Sequence, residues 1–178
     1  MSNEIERHWP TRYQNVPTSY LEATASDDLR GLGPQLALIG PAGSGKTWQL
    51  WGLVIHHREL RPDSPPRIWL VSEALDIEGH RWDQEWLRAV AEFPGIVAID
   101  DLGYRCQRPD SSPSEWAAHA AYVISDQRSS WRRRTIWTSN LTREQIAAAY
   151  GPPVMSRICS GGVVEVGGED RRINKGDQ

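Results

Sequence analysis

Short apolar runs alternate along this chain with longer segments in which apolar residues recur at helical spacing. The short runs predict buried strands, and they cover residues 35–39, 67–71, 96–99, 135–138 and 163–166. The spacing between them predicts helices at residues 46–60, 81–93, 114–129 and 142–150, with a further helical turn at 154–159. This alternation predicts an α/β fold in which helices cover both faces of a mostly parallel five-stranded sheet.

Polar segments flank the predicted domain. Residues 1–33 are polar and interrupted by prolines and glycines, so we interpret them as an irregular N-terminal arm. Residues 34–172 contain all the predicted strands and helices, together with a polar loop at residues 105–113. Residues 173–178 form a hydrophilic tail. The chain of 178 residues is long enough for one domain with a sizeable core.

The composition is that of an ordinary globular protein, with 39% hydrophobic and 24% charged residues. The apolar runs are far shorter than the roughly 20 residues that a membrane span needs, and the first residues lack the apolar core of a signal peptide. We therefore expect a cytoplasmic protein without a membrane partner. Because the net charge is −3, any contact with nucleic acid must come from a local basic cluster. The two cysteines and five histidines follow no metal-binding pattern.

The sequence GPAGSGKT follows the first predicted strand and opens the first predicted helix. It matches the phosphate-binding P-loop pattern G-x-x-x-x-G-K-[ST] at every position. In this pattern the glycines let successive backbone N–H groups point at phosphate oxygens, and the helix N-terminus adds partial positive charge. The predicted nucleotide-binding residues are Gly40, Pro41, Ala42, Gly43, Ser44, Gly45, Lys46 and Thr47.

Lys46 and Thr47 have the most specific roles predicted for this loop. Only two of the 20 basic residues in the chain are lysines, and Lys46 is one of them. Its ammonium is predicted to contact the β- and γ-phosphates of ATP, and the Thr47 hydroxyl is predicted to bind Mg²⁺. The alternative is a chance glycine-rich turn, but that alternative does not account for the strand before the loop and the helix after it.

Acidic and amide side chains follow two later strands. Asp100 and Asp101 end the apolar run at residues 96–99, which is the pattern of a Walker B strand. Asp100 is predicted to bind Mg²⁺, and Asp101 is predicted to polarise the attacking water as a general base. Asn140 follows the strand at residues 135–138 and is predicted to orient that water and contact the γ-phosphate. The alternatives are solvated carboxylates in a strand-end loop and an asparagine that belongs to a turn.

The ordered set of motifs resembles that of the DnaC/IstB group of AAA+ ATPases, which includes bacterial and phage helicase loaders and transposition helper proteins. The motifs are the P-loop, IVAIDDLG from residue 96, ISDQR from residue 124, TSNL from residue 138, MSRI from residue 155 and GEDRR from residue 168. A PTRY segment from residue 10 is also similar, so the resemblance covers most of the chain. It implies a three-layer P-loop fold of the additional-strand class, without a lid domain.

The resemblance also implies a function. A protein of this group binds and hydrolyses ATP with Mg²⁺ and acts on single-stranded DNA, in replication as a helicase loader or in transposition. The expected partners are therefore single-stranded DNA and either a replicative helicase or a transposase, and the expected source is a phage or another mobile element. We expect a departure from the DnaC type, because 178 residues are too few for the separate N-terminal domain that binds the helicase as well as the ATPase domain, and this expectation argues against a helicase-loading role.

Arginines complete the set of candidates. The resemblance implies that Arg157 is an arginine finger, which acts on ATP bound to a neighbouring subunit and so requires a homo-oligomer. Arg128 and Arg172 match further positions of the family pattern. The basic run at residues 132–134, with Arg128 nearby, is a candidate for contacts to DNA phosphates. The alternatives are a salt-bridged surface arginine at position 157 and a solvated basic run before a strand.

Two other functions stay open at the level of sequence. The first is a small-molecule kinase that uses the same P-loop, which would need an acceptor pocket and a mobile lid that carries an arginine. The second is an adaptor that binds ATP without hydrolysing it. Asp101 favours the second alternative to some extent, because many ATPases of this class have the longer glutamate at that position.

Overall fold

The computed structural model describes residues 33–59, 68–107 and 111–167 of the chain. In these parts the strands are β1 (Gln35–Ile39), β2 (Ile68–Ser72), β3 (Ile96–Leu102), β4 (Thr135–Ser139) and β5 (Val163–Glu165). The α-helices are α1 (Lys46–Glu59), α2 (Gln84–Glu92), α3 (Glu115–Ser130), α4 (Arg143–Tyr150) and α5 (Pro152–Ile158). Each predicted strand and helix is therefore present.

Some predicted features lie outside the described residues. They are residues 1–32 of the arm, the last residue of the helix predicted at 46–60, the first residue of the strand predicted at 67–71, residues 108–110 of the polar loop, and all residues after 167. The PTRY and GEDRR segments, Arg172 and the hydrophilic tail belong to this set.

All four strand pairings in the sheet are parallel, and the strand order is β2-β3-β4-β1-β5. The predicted parallel five-stranded sheet is thus confirmed. Strand β2, which lies between α1 and β3 in the sequence, is an edge strand of the sheet, whereas β4 separates β1 from β3. The strand that leads to Asn140 therefore runs between the P-loop strand and the Asp100 strand.

Alternate residues of each central strand enter different cores, as the two-residue repeat of a strand requires. On one face, Leu36 and Leu38 of β1 pack with Leu50 and Leu53 of α1. On the other face, Ala37 and its neighbours pack against helices α2, α3, α4 and α5. The predicted three layers are therefore present, with α1 on one face and the other four described α-helices on the opposite face.

Side-chain caps set two helix starts as expected and shift a third. The Ser114 hydroxyl caps α3 by accepting the N–H of Ala117, and Thr142 caps α4 in a reciprocal capping box with Gln145. The helix predicted at 81–93 begins only at Gln84, because the Asp83 side chain accepts the N–H of Trp86 and fixes the start there.

Three local features were not predicted. Strand β3 continues through the Asp100-Asp101 pair to Leu102, because its pairing with β4 resumes after a shift of register. A π-helical turn, Glu73–Ile77, follows β2, and a 3₁₀ turn, Tyr104–Gln107, follows β3. Among the helices described, none has both the length and the apolar character needed to cross a membrane.

Candidate nucleotide site at the carboxyl edge of the sheet

The predicted site residues meet at one edge of the sheet. The P-loop follows β1, the Asp100-Asp101 pair lies near the carboxyl end of β3, and Asn140 follows β4. Because β1, β4 and β3 are neighbouring parallel strands, their carboxyl ends lie side by side. Ligands of open α/β sheets bind at this edge.

The P-loop has a backbone conformation that suits its glycines. Gly43 and Gly45 have φ angles of 79° and 98°, in the left-handed region that residues with a side chain rarely adopt. Ser44 between them is fully buried, and its Oγ has no hydrogen-bond partner in the described part of the chain. Helix α1 begins at Lys46, so the partial positive charge of its N-terminus lies beside the loop. This charge fits an anionic group such as a phosphate.

Lys46 lies within the loop and is 5% exposed. Its Nζ donates hydrogen bonds to the carbonyl oxygens of Gly40 at 2.8 Å and Pro41 at 2.7 Å. The ammonium is therefore held against the P-loop backbone, where it adds a full positive charge to the partial charge of the helix N-terminus.

Thr47 and Asp100 bring oxygen atoms together beside the loop. Thr47 Oγ1 lies 3.2 Å from one carboxylate oxygen of Asp100 and 3.4 Å from the other. Thr138 of β4 donates a hydrogen bond from its Oγ1 to Asp100 Oδ1 at 2.6 Å. Hydroxyl and carboxylate oxygens are ligands that Mg²⁺ prefers, so this donor set fits the predicted metal.

Burial raises the pKa of the Asp100 carboxyl above its ordinary value. The hydrogen bonds from Thr138 and Thr47 oppose this shift, whereas the nearby charge of Asp101 adds to it. The carboxylate is thus held in surroundings that disfavour its charge, and a bound cation would relieve that cost.

Asp101 occupies a bulge in β3. The register between β3 and β4 shifts between Ile99 and Leu102, and Asp101 has a φ angle of 59°. Aspartate adopts this left-handed conformation more readily than most residues. The Asp101 N–H donates to Thr138 Oγ1 at 2.9 Å. One hydroxyl group therefore fixes both the Asp100 carboxylate and the Asp101 peptide.

Asn140 is half-buried and lies in a short segment that is tied to the end of β3. Ser139 Oγ donates to the carbonyl oxygen of Leu102 at 2.6 Å and accepts the N–H of Leu141 at 3.1 Å. Because both neighbours of Asn140 take part, the backbone that carries its side chain is held relative to the Asp100-Asp101 bulge.

Comparisons with known proteins show the same fold in solved structures. No protein-family model matches the sequence, and neither does any curated protein. DnaI superposes with a TM-score of 0.62 and 21% identity, over 86% of this chain and 81% of that one. The DnaC helicase loader superposes with a TM-score of 0.58 and 19% identity, over 90% of this chain and 93% of that one.

A third match is the replication initiator DnaA bound to AMPPCP and single-stranded DNA, with a TM-score of 0.59, 16% identity and 92% of this chain covered. This chain spans about half the length of that protein, 49%. The chain shares its fold with these replication proteins. The predicted fold class is therefore confirmed, and the low identities limit what the likeness shows to the fold.

Arg157 lies on α5, and its described contacts come from α3 and from its own helix. Its Nη2 forms an ion pair with Asp126 Oδ1 at 2.6 Å, and its Nη1 donates to the Pro153 carbonyl at 3.1 Å. The guanidinium carbon lies 5.4 Å from the centre of the Tyr122 ring. The Arg157 side chain remains 30% exposed, so its guanidinium is accessible from outside the domain.

Arg128 is a buried structural residue of α3. It is 0% exposed, and its guanidinium donates hydrogen bonds to Thr135 Oγ1 and to the carbonyl oxygens of Val90, Ala91, Phe93, Gly95 and Arg134. Burial lowers the pKa of Arg128 to about 10, and the charge of Arg133 contributes, which leaves the group charged at neutral pH. The hypothesis that Arg128 contacts DNA phosphates is wrong, because no part of it reaches solvent.

Trp131, Arg132 and Arg133 form an exposed turn, here named the basic turn, between α3 and β4. Trp131 is 49% exposed, and the guanidinium carbon of Arg133 lies 4.4 Å from its ring centre. Arg132 is exposed and has a φ angle of 50°. Because the basic turn precedes β4, it lies at the amino edge of the sheet, opposite the P-loop.

Sequence reasoning missed two residues that shape the site, Thr138 and Glu73. The pattern of apolar residues predicts Thr138 only as a strand residue. A hydroxyl at the end of a strand beside Asp100 and Asp101 is nevertheless a signal for hydrogen bonds to that pair. Glu73 follows the apolar run of β2 directly and is 1% exposed. An acidic residue after a buried strand is the same signal that identified Asp100.

Proposed function

We propose that this protein binds ATP with Mg²⁺ at the carboxyl edge of its sheet and hydrolyses it. The contact that carries this proposal joins Thr47 Oγ1 to the Asp100 carboxylate at 3.2 Å. It brings the end of the P-loop and the end of β3 together, and metal–nucleotide binding needs oxygen ligands from both. The solved structure of DnaA, which shares the fold, is bound to AMPPCP, and this supports a nucleotide ligand here.

The loop residues and Asp100 divide the binding of the phosphates and of Mg²⁺ between them in this proposal. The N–H groups of residues 43–47 and the Lys46 ammonium hold the phosphates. Thr47 and Asp100 hold Mg²⁺, which, when bound, withdraws negative charge from the phosphate oxygens. The buried Ser44 hydroxyl, without a partner among the described residues, is a further donor for a phosphate oxygen.

Asp101 and Asn140 are the residues that we assign to the attacking water. They lie at the carboxyl ends of neighbouring strands, and each is half-buried. The Asp101 carboxylate accepts a proton from the water, and the Asn140 side chain orients it. A carboxylate and an amide on adjacent strand ends favour water as the nucleophile over a small-molecule acceptor, so we prefer hydrolysis to a kinase reaction.

Arg157 acts in trans in this proposal, in a homo-oligomer of the chain. Its contacts with Asp126 and Tyr122 place it on the accessible surface of α3 and α5. An exposed ion pair contributes little to stability, typically ~0–1 kcal/mol. Arg157 is therefore free to exchange this ion pair for the γ-phosphate of a neighbouring subunit at small cost.

We further propose that ATP hydrolysis serves a DnaC/IstB-like role on single-stranded DNA, in helicase loading or in transposition. Support comes from the fold shared with the DnaC helicase loader and with DnaA bound to single-stranded DNA. Within this chain, the basic turn combines an exposed aromatic ring with arginines, and single-stranded nucleic acids bind to such combinations. A replicative helicase or a transposase is the expected protein partner.

ATP hydrolysis across protein concentration, with and without single-stranded DNA, tests this function. The variants are Arg157→Ala and, as a matched control, Arg88→Ala. Arg88 is a suitable control because it also forms a surface ion pair, with Glu92 at 2.7 Å. We expect turnover per molecule to rise with wild-type concentration and with DNA, and Arg157→Ala to lower it about a thousandfold while ATP binding is retained.

Three other outcomes would redirect the proposal. Turnover that is flat with concentration and equal in both variants would contradict the oligomeric AAA+ mechanism. ATP consumption that appears only with a nucleoside or a similar acceptor would favour the kinase. ATP binding without turnover under any condition would favour the adaptor.

A further inference from the structure

Glu73 is a buried carboxyl group that the proposed reaction has not yet used. It follows β2 directly and opens the π-helical turn. The residue before it, Ser72, pairs with Asp100 in the β2–β3 register. Glu73 therefore lies at the same edge of the sheet as the nucleotide site, one strand beyond Asp100.

The hydrogen bonds of Glu73 are concentrated on one oxygen atom. Its Oε2 accepts the N–H of Gly103 at 2.7 Å and the hydroxyl of Tyr150 at 2.7 Å. Its Oε1 is buried and accepts no hydrogen bond in the described part of the chain. A buried carboxyl with one unsatisfied oxygen is costly, and stability alone gives no reason to retain it.

The proposed general base, Asp101, begins a three-residue segment that ends at Gly103. Glu73 holds the N–H group at the Gly103 end of this segment. At the near end, the Asp101 N–H is held by Thr138 Oγ1. In the middle, the Leu102 carbonyl accepts from Ser139 Oγ. Both of those partners belong to β4, whereas Glu73 holds the segment from the opposite side. The segment from Asp101 to Gly103 is thus held by β4 on one side and by the turn after β2 on the other.

Tyr150 extends this arrangement to the helices. It is the last residue of α4, and α4 begins three residues after Asn140. Tyr150 is followed by Gly151, which is also the N-cap of α5, the helix that carries Arg157. The Glu73 carboxyl therefore connects the end of β3 with the helix pair that lies between Asn140 and Arg157.

Electrostatics agree with Tyr150 as the donor. Burial and the neighbouring Glu73 raise the pKa of the Tyr150 hydroxyl far above its ordinary value, so the hydroxyl keeps its proton. Burial also raises the pKa of Glu73, and the Tyr150 and Gly103 hydrogen bonds oppose that shift. These two donors therefore offset part of the cost of burying a carboxylate here.

We propose that Glu73, held by Tyr150, is a positioning residue for ATP hydrolysis: it keeps the Gly103 N–H in place so that Asp101 retains its left-handed conformation, and it links that segment to α4. This inference rests on the proposed ATPase function. Glu73 contacts neither nucleotide nor water in this scheme and acts through the Asp101 peptide. Loss of the link therefore changes turnover and leaves nucleotide affinity intact.

The test compares Tyr150→Phe, Glu73→Gln and Glu73→Ala with the wild type and with Tyr104→Phe. Tyr104 is a matched control because it is 52% exposed and lies in the 3₁₀ turn directly after Gly103. Steady-state hydrolysis gives kcat, and titration with a fluorescent ATP analogue gives affinity. Hydrogen exchange of the peptide that contains Gly103 reports the position of the segment without any need for turnover.

We expect Tyr150→Phe to lower kcat by about tenfold or more, because small displacements of catalytic groups have effects of this order. Analogue affinity should stay within about twofold, and exchange at Gly103 should become faster. Glu73→Gln, which keeps an acceptor oxygen, should be impaired less than Glu73→Ala. Tyr104→Phe should match the wild type in all three measurements.

Two results would overturn the inference while leaving the ATPase proposal standing. One is active wild type with equal kcat in Tyr150→Phe and Tyr104→Phe. The other is a Tyr150→Phe protein that loses kcat and analogue binding in the same proportion, which indicates general structural damage. If the wild type binds ATP but does not hydrolyse it under any condition, the ATPase proposal itself is wrong. Glu73 then has no positioning role in hydrolysis.

Discussion

The two edges of the sheet hold their buried charges in opposite ways. At the amino edge, the Arg128 guanidinium is fully buried, and each of its three nitrogens donates at least one hydrogen bond. At the carboxyl edge, the Asp100 and Glu73 carboxyls lie among groups that are incompletely satisfied. Ser44 Oγ and Glu73 Oε1 have no partner among the described residues, and Asp101 adopts a left-handed φ of 59°.

This difference separates a structural charge from functional ones. A buried ion whose hydrogen bonds are all made stabilises the surrounding backbone and has no capacity left for a ligand. Unsatisfied buried polar groups persist at a site only where surrounding interactions enforce them, and at a ligand site a bound group can satisfy them. The contrast predicts that substitutions at the amino edge change stability and that substitutions at the carboxyl edge change nucleotide chemistry.

The largest effect is expected for Arg128→Met. Methionine leaves the carbonyl oxygens of Val90, Phe93 and Gly95 buried without their charged donor. Loss of a buried charged partner costs about 3–5 kcal/mol, so we expect the free energy of unfolding in a urea titration to fall by that amount. Arg88→Met is the control, since Arg88 is exposed and its loss should leave the free energy of unfolding almost unchanged.

Stability of Arg128→Met close to that of the control would contradict the structural role of Arg128. It would also remove the contrast between the two edges, because a fully satisfied buried charge would then have no measurable effect on folding.

The next largest effect is expected for Asp101→Asn. Asparagine tolerates the left-handed conformation as aspartate does, so this change removes the carboxylate without disturbing the bulge. We expect kcat for ATP hydrolysis to fall by about a hundredfold or more, as for loss of a general base, with the melting temperature and ATP affinity unchanged. Unchanged turnover in Asp101→Asn would instead favour an adaptor that does not need hydrolysis.

Asp100→Asn is expected to have a smaller effect, and to raise the stability of the folded chain rather than lower it. Burial raises the pKa of Asp100, so the folded chain binds protons more tightly than the unfolded chain at this position. Wild-type stability is therefore lost as pH rises through the folded pKa. In EDTA and without nucleotide, Asp100→Asn should melt at a higher temperature than the wild type at neutral pH.

Two comparisons check this stability prediction. The difference in melting temperature should disappear at acid pH, where the wild-type carboxyl is itself protonated. With Mg²⁺ present, the same variant should bind ATP about tenfold more weakly, because it lacks a metal ligand. A variant less stable than the wild type at neutral pH would show that the hydrogen bonds from Thr138 and Thr47 outweigh the cost of burying the charge.

The sequence predicts the strand-helix order and the P-loop because both depend on residues that are close together along the chain. Apolar runs and the Ser114 and Thr142 caps are local signals of this kind. The environment of Arg128 is not local, since it is formed by carbonyl groups of α2 and of the segments that precede β3 and β4. A basic residue in a helix otherwise indicates a solvated surface, which explains the wrong expectation of a DNA contact.

The carboxyl edge shows the same limit. The positions of Asp100 and Asn140 at strand ends follow from periodicity alone. The bulge that gives Asp101 its conformation depends on the register between β3 and β4, which periodicity does not determine. The link from Glu73 to Tyr150 joins residues 77 positions apart, and only folding brings the π-helical turn after β2 close to the end of α4.

The smallest predicted effect concerns the basic turn, the one surface of the amino edge to which we assign a ligand. Arg132→Ser should weaken binding of single-stranded DNA by a few-fold and lower the salt dependence of the affinity, because one phosphate contact is lost. Trp131→Ala should weaken binding by about tenfold through loss of base stacking. Arg88→Ser, at an exposed arginine paired with Glu92, is the control. Equal DNA affinity in all three variants would leave the amino edge with a structural role alone, and the DNA contacts would then have to lie elsewhere in the chain.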